Sequence, residues 1–214
     1  MERPSRLNPT IAKGVIVLFH TVGLVGLMVP ATQSLFLQIV PFHLLLMLLV
    51  VVFSHKYIDE RFIGFAIIIY LLGFTAEWIG VHTGWLFGNY AYGATLGTKA
   101  LDIPLTIGIN WFLLIYAVGV TMQRLRIRSI WARIILGALL MVLLDLQIEP
   151  VAIKFDYWHW ANNVIPIKNY IGWFAVSGVM LWIFELFKFR KQSWVAPVLL
   201  LVQFLFFGIL NLIW

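Results

Sequence analysis

Long apolar runs separated by short polar turns dominate the chain. Seven segments, at about 13–30, 34–53, 62–79, 104–120, 134–148, 171–187 and 195–214, are apolar along nearly their whole length. Most reach the ~17–25 residues that a helix needs to cross a bilayer. The fifth is short, with Trp131 and Ala132 upstream to extend it. The pattern predicts an all-α, polytopic membrane helix bundle of about seven transmembrane helices, a single integral membrane domain over 1–214. Pro41 is placed to kink the second span, and Pro150 to end the fifth helix at Glu149.

Composition supports this reading. Apolar residues make up 62% of the 214 positions and charged residues 11%, against about 25% charged in soluble proteins, so a water-soluble fold is excluded. There is no Cys, hence no disulfide, thiolate metal site or cysteine nucleophile. The opening MERPSRLNPT lacks a signal-peptide cleavage pattern, and the first span reads as a retained anchor. The net charge of +6 follows membrane topology and does not point to nucleic acid. With the N-terminus cytoplasmic, the inner segments carry Arg3, Arg6, Lys13, Lys56, Arg61, Arg124, Arg126, Arg128, Arg133, Lys188, Arg190 and Lys191. The outer ones carry only Lys99, Lys154 and Lys168. That bias sets the orientation and predicts a multi-pass protein of the cell (inner) membrane with its C-terminus outside.

The same topology sorts the acids. Glu2, Asp59, Glu60 and Glu185 fall inside, Glu185 beside Lys188 at helical ion-pair spacing. Glu77, Asp102, Asp145, Glu149 and Asp156 fall outside, with few basic neighbours. Glu77, Asp145 and Glu149 sit at the ends of apolar spans. An acid at the edge of the hydrocarbon is costly to ionise and is usually kept for proton chemistry, ion passage or a buried polar contact. Asn110, six residues after Pro104, lies about 9 Å down the fourth span, at roughly the depth of Glu77 and Asp145. A cluster of this kind can be helix glue, the better reading for Asn110 alone; two acids and an amide at one depth favour a site. Asp145 and Glu149 are four apart and share a face if the helix continues that far. Two close carboxyls in a dry place do not both ionise, and one then keeps the proton a general acid needs.

Only two loops are long, 80–103 and 149–170, and both are outer. Each follows an acid-terminated helix and is rich in aromatic residues. Trp85, Phe87, Tyr90 and Tyr92 suggest an aromatic lid, although an interfacial belt is the commoner use of any one of them. His82 and His159 lie on the same side as candidate site members; a lone His more often makes a single hydrogen bond. No metal-ligand spacing is present, so no metal is expected. The last span has no Lys for a retinal Schiff base. There is also no phosphate loop, no aspartate-rich diphosphate motif and no dinucleotide fingerprint. Proton chemistry on an apolar substrate fits what remains.

Five segments carry a family resemblance: EWIGVHTGWLFGNYAY from Glu77 to Tyr92; LDIPL from Leu101 with Asn110 and Trp111 after it; DLQIEP from Asp145 to Pro150; YWHW from Tyr157 to Trp160; and PIKNYIGW from Pro166 to Trp173. Together they resemble the membrane carotenoid 1,2-hydratases, which include the bacterioruberin and γ-carotene hydratases. The resemblance covers roughly 77–173. Glu149 departs from the family pattern, in which Asp is usual before that proline; its carboxyl reaches one methylene further.

The resemblance implies cofactor-independent addition of water across the terminal C1–C2 double bond of an acyclic (ψ) carotenoid end, on an acyclic or monocyclic carotenoid held in the lipid bilayer. The expected general acid is Asp145 or Glu77, with Asp145 preferred, and a second carboxylate, Glu149 among the candidates, takes a proton from the attacking water. Asn110 and Asn169 are expected to orient that water. Trp78, Trp111 and Trp173 are placed to stabilise the tertiary cation through their ring faces, each worth about 0.5–2 kcal/mol. The nearest rival is a membrane lycopene-type cyclase, which begins with the same protonation. Two others are a small proton-coupled transporter and an inactive carotenoid-binding scaffold.

Overall fold

The computed structural model describes residues 6–213. Glu2 and Arg3 of the charge pattern, and Trp214 of the last span, lie outside the described residues. In chain order the elements are α1 (Pro9–Met28), α2 (Pro30–Gln38), α3 (Val40–Ser54), α4 (Glu60–Thr83), β1 (Tyr90–Tyr92), β2 (Lys99–Ala100), β3 (Ile103–Pro104), α5 (Leu105–Arg124), α6 (Ile130–Lys154), β4 (Trp158–Trp160), α7 (Ile167–Leu186) and α8 (Val195–Ile213). Six helices are each long and apolar enough to cross a membrane, and α2 with α3 forms a seventh, bent span. The all-α bundle is therefore as expected, with two small β-ribbons added at one end.

Local chemistry sets the helix starts. The side chains of Asn8, Asp59 and Ser129 accept hydrogen bonds from backbone N–H groups in the first turns of α1, α4 and α6, satisfying donors that a helix leaves unpaired. Pro104 and Pro166 stand immediately before α5 and α7, where the lost N–H costs nothing. α5 is the central helix: most of its span is buried, unlike its neighbours, and α3, α4, α6, α7 and α8 all pack on it.

Three local expectations are corrected. The second span is broken by 60° between Gln38 and Val40, so Pro41 sits in the first turn of a new helix instead of kinking a continuous one. α6 runs through Pro150 to Lys154. The proline removes one hydrogen bond near the helix end, and membrane helices tolerate that loss where neighbouring groups re-satisfy the backbone. Glu149 is consequently helical and shares a face with Asp145. Lastly, Glu185 pairs with Arg133 of α6, not Lys188. The guanidinium meets both carboxylate oxygens at 2.7 Å, a forked geometry that an ammonium cannot match.

At the end of the bundle bearing the long loops, β1 and β4 pair antiparallel, joining Tyr90 to Trp160 and Tyr92 to Trp158. Two glycines permit the close approaches behind this arrangement. A Cβ on Gly93 would collide with the Asp156 backbone oxygen where the two loops meet. A Cβ on Gly73 would lie 2.6 Å from the Trp111 side chain, so α4 and α5 come together through this glycine and seat Trp111 fully buried between them. Gly73→Val is expected to cost about 1–3 kcal/mol through overpacking, read as a lowered thermal midpoint of the detergent-solubilised protein. An unchanged midpoint would contradict the close approach.

Candidate functional site

Strand geometry explains how the loops reach inward. Alternate residues of a strand point to opposite faces, so Tyr90 and Tyr92 share one face of the ribbon and Trp158 and Trp160 share the matching one. Ala91 and His159 point away and are exposed. The inward face brings four side-chain donors onto two buried carboxyls. Tyr90 and Tyr92 donate to Glu77 Oε2 at 2.5 and 2.7 Å, and Trp111 Nε1 donates to Oε1 at 2.8 Å. Trp158 and Trp160 donate to Glu149 Oε2 at 3.0 and 2.8 Å.

Asn169, near the start of α7, joins the second pair. Its amide Nδ2 donates to Asp145 Oδ2 at 2.7 Å and to Glu149 Oε1 at 3.1 Å. Glu77, Asp145, Glu149 and Asn169 are all buried. Glu77 and Glu149 each accept from three donors, as suits carboxylates. Asp145 accepts from one, and its Oδ1 is buried with no hydrogen-bond partner. Burial, and after it the Glu77 charge, holds the Tyr90 and Tyr92 phenols well above their usual range, so both stay protonated and act as donors.

Two connected spaces adjoin the cluster. A chamber of about 20 Å³ is lined by Glu77, Tyr90, Tyr92 and Asn110 with the rings of Phe87, Trp158, Trp160 and Trp173. About 10–15 Å³ suffices for one water molecule, so the chamber holds about one. Ile107, Asn110, Ile148 and Trp158 also line a far larger cavity of about 330 Å³, within the ~300–1,000 Å³ range of small-molecule sites. This cavity is mostly apolar, and its rim carries the exposed side chains of Phe19, Val22, Ile39 and Phe42. Trp111 stacks on Trp173 with ring centroids 4.5 Å apart.

The predicted site residues therefore divide. Glu77, Asn110, Trp173, Tyr90 and Tyr92 line the chamber, and Trp111 holds Glu77 from behind. Asp145, Glu149 and Asn169 form the adjoining cluster and line neither space. Two candidates are not brought in. Trp78 is exposed on the outside of α4, and His82 stands against its ring, with Nε2 3.6 Å from Asp102. His159 likewise pairs with Asp156 at 2.5 Å on the surface. Trp85, expected in the lid, is exposed as well. Sequence reasoning passed over Trp158 and Trp160 as donors, although the alternation in WHW, matching YAY, is the signal of a one-faced strand. Among the described residues, no set of three or more His, Asp and Glu side chains converges as metal ligands would.

Asp156 fastens the lid. Its carboxylate accepts from the Ala94 N–H at 2.8 Å, and its backbone oxygen accepts from Thr95 N–H at 3.3 Å. The Ala94 hydrogen bond, followed by that of His159, holds the carboxyl below its ordinary range. A depressed carboxyl contributes stability above its unfolded value and loses it as pH falls through the folded one. The clasp is thus in force at neutral pH and released only in acid below the ordinary carboxylate range. Asp156→Ala is expected to lower hydrogen-exchange protection of the Gly93, Ala94 and Thr95 amides several-fold at neutral pH. Protection equal to the parent's would contradict this role.

The chain was then compared with known proteins. The family described as "Carotenoid biosynthesis protein" matches residues 16–214. A curated protein named bisanhydrobacterioruberin hydratase, from Haloarcula japonica, is 28% identical over 134 residues, 59% of this chain and 46% of the relative. The aligned part thus spans about half the length of that relative. No solved structure matches the chain significantly.

Proposed function

The chain belongs to the carotenoid biosynthesis protein family, and from that premise we propose that it is a hydratase adding water across the terminal C1–C2 double bond of an acyclic carotenoid end. One observation carries the reading most directly: a buried carboxyl, Glu77, opens onto a ring-walled chamber of one-water size that is continuous with a large apolar cavity. The polyene end occupies the cavity, and the rest of its length leaves past Phe19, Val22, Ile39 and Phe42 into the bilayer. The excess of basic residues at the opposite end of the bundle assigns the ribbon end to the extracytoplasmic side of the cell membrane.

In the proposed reaction the Glu77 carboxyl gives its proton to C2, and the π electrons form the new C–H bond. The tertiary cation left at C1 faces the Glu77 carboxylate and the rings of Trp173, Tyr90, Tyr92 and Trp158. Water adds to C1, and its surplus proton returns to Glu77, so the acid is regenerated and the net change is one water added. Tyr90, Tyr92 and Trp111 position Glu77 and stabilise its anion while the cation exists. Asn110, at the junction of the two spaces, orients the water. The Asp145–Asn169–Glu149 cluster, held by the Trp158 and Trp160 indoles, supports the chamber wall. This division favours Glu77 over Asp145 as the acid because Asp145 lines neither space.

Room for a water beside the carboxyl also favours hydration over ring closure, in which no external nucleophile is needed. Two variants separate the acids. With an acyclic carotenoid as substrate, Glu77→Gln is expected to lower hydrated product by about 10²–10⁴-fold, whereas Asp145→Asn keeps it within about tenfold. The reverse pattern assigns the proton to Asp145. Products of unchanged mass but altered retention would establish a cyclase instead. Tyr90→Phe with Tyr92→Phe is expected to reduce kcat with little change in KM, since the phenols touch the acid; a change confined to KM would place them on the substrate alone.

A further inference from the structure

The large cavity is not apolar throughout. On walls supplied by α1, α3 and α8, three polar side chains converge: His20, His43 and Gln203. None belongs to the carboxyl cluster, and the reaction above uses none of them. His20 Nδ1 lies 2.8 Å from the Ile16 backbone oxygen. A carbonyl only accepts, so the proton is on Nδ1 and Nε2 is left as an acceptor. The Gln203 amide nitrogen, 3.2 Å away, donates to it. Both His20 nitrogens are thereby used and the ring is fixed.

His43 differs. Its ring stands edge-on to that of His20, with centroids 4.6 Å apart and planes at 80°. Among the described residues no hydrogen bond engages either of its nitrogens. A neutral imidazole offers one donor and one acceptor, and here both belong to a cavity otherwise walled by Phe, Leu, Ile and Val. An unpaired polar group in such surroundings costs folding free energy, and it is satisfied when a ligand brings the complementary pair. A hydroxyl is the smallest group with one donor and spare acceptor capacity, whereas a pure hydrocarbon brings neither.

We propose that His43, held by the fixed His20–Gln203 pair, binds a hydroxyl group on the polyene, so that the chain favours a carotenoid already bearing an alcohol over an all-hydrocarbon one. The inference rests on the cavity being the polyene's berth, as argued above. It also places the reaction after a step that installs the alcohol, a hydration or hydroxylation of the same polyene.

Binding tests this without turnover. The full chain in detergent is titrated with an acyclic hydrocarbon carotenoid and with a monohydroxylated acyclic carotenoid, and quenching of tryptophan fluorescence by the polyene is followed, Trp158 lying in the cavity wall. The alcohol is expected to bind about tenfold more tightly, the size of one good hydrogen bond. His43→Phe is expected to remove the preference by weakening the alcohol alone, and His43→Gln, which keeps a donor and an acceptor, to restore part of it. Gln203→Leu, which leaves the His43 ring in place, gives an independent arm and is expected to reduce the preference. Equal affinities of the parent protein for the two polyenes, or a preference that survives both His43→Phe and Gln203→Leu, would overturn the proposal. Failure of both polyenes to bind would overturn the cavity reading itself, and with it this inference. Hydration failing while the alcohol preference holds would overturn the proposed reaction alone.

Discussion

The burial of three carboxyl groups in an oily bundle is the constraint on which the rest of this structure depends. Glu77, Asp145 and Glu149 are shut away from water, where an isolated charge is prohibitively costly. The chain answers with neutral donors and no cation: two phenols, three indoles and one amide. A lysine or arginine here would neutralise the acids and fix them as ion pairs, as Arg133 does to Glu185 at the other end of the bundle. Neutral donors hold the carboxyls in place while leaving them able to exchange protons, and that property is what makes the proposed chemistry possible.

Meeting this demand shapes the outer loops. Four of the six donors come from a ribbon three residues wide that joins loops far apart in sequence. The ribbon is therefore both lid and counterpart to the acids, and the Asp156 clasp holds its two halves in register. Gly73 and Gly93 belong to the same economy, since each lets a buried partner approach where any side chain would push it away. The proposed reaction adds one asymmetry: of the three acids only Glu77 opens onto the chamber, so the two behind it act through the walls.

Hydropathy alone revealed the seven spans, because runs of this length have no other stable environment. The charge bias gathered the acids at one end, and the structure brings Glu77, Asp145 and Glu149 together there. What escaped detection was set by tertiary contact. The break at Ile39 and the passage of α6 through Pro150 depend on neighbouring helices that re-satisfy the backbone. Glu185 chose Arg133 over Lys188 because a facing helix supplied a better fork. The pairing of YAY with WHW is too short for periodicity to stand out, although each triplet carries the alternation in miniature. His20, His43 and Gln203 come from three separate spans, and no spacing within one helix announces their meeting. Trp78 and His82 had the right depth but the wrong face of α4, a distinction that an all-apolar span does not encode.

The central claim is that a buried carboxyl protonates the polyene end and that solvent completes the addition. Product analysis after turnover in heavy-oxygen water, and separately in deuterated water, tests it most directly. The account predicts one heavy oxygen, carried as a tertiary alcohol, and one non-exchangeable deuterium on the adjacent carbon for each end that reacts. A product with carbon-bound deuterium but no heavy oxygen would show that the cation is quenched by ring closure and would contradict the account.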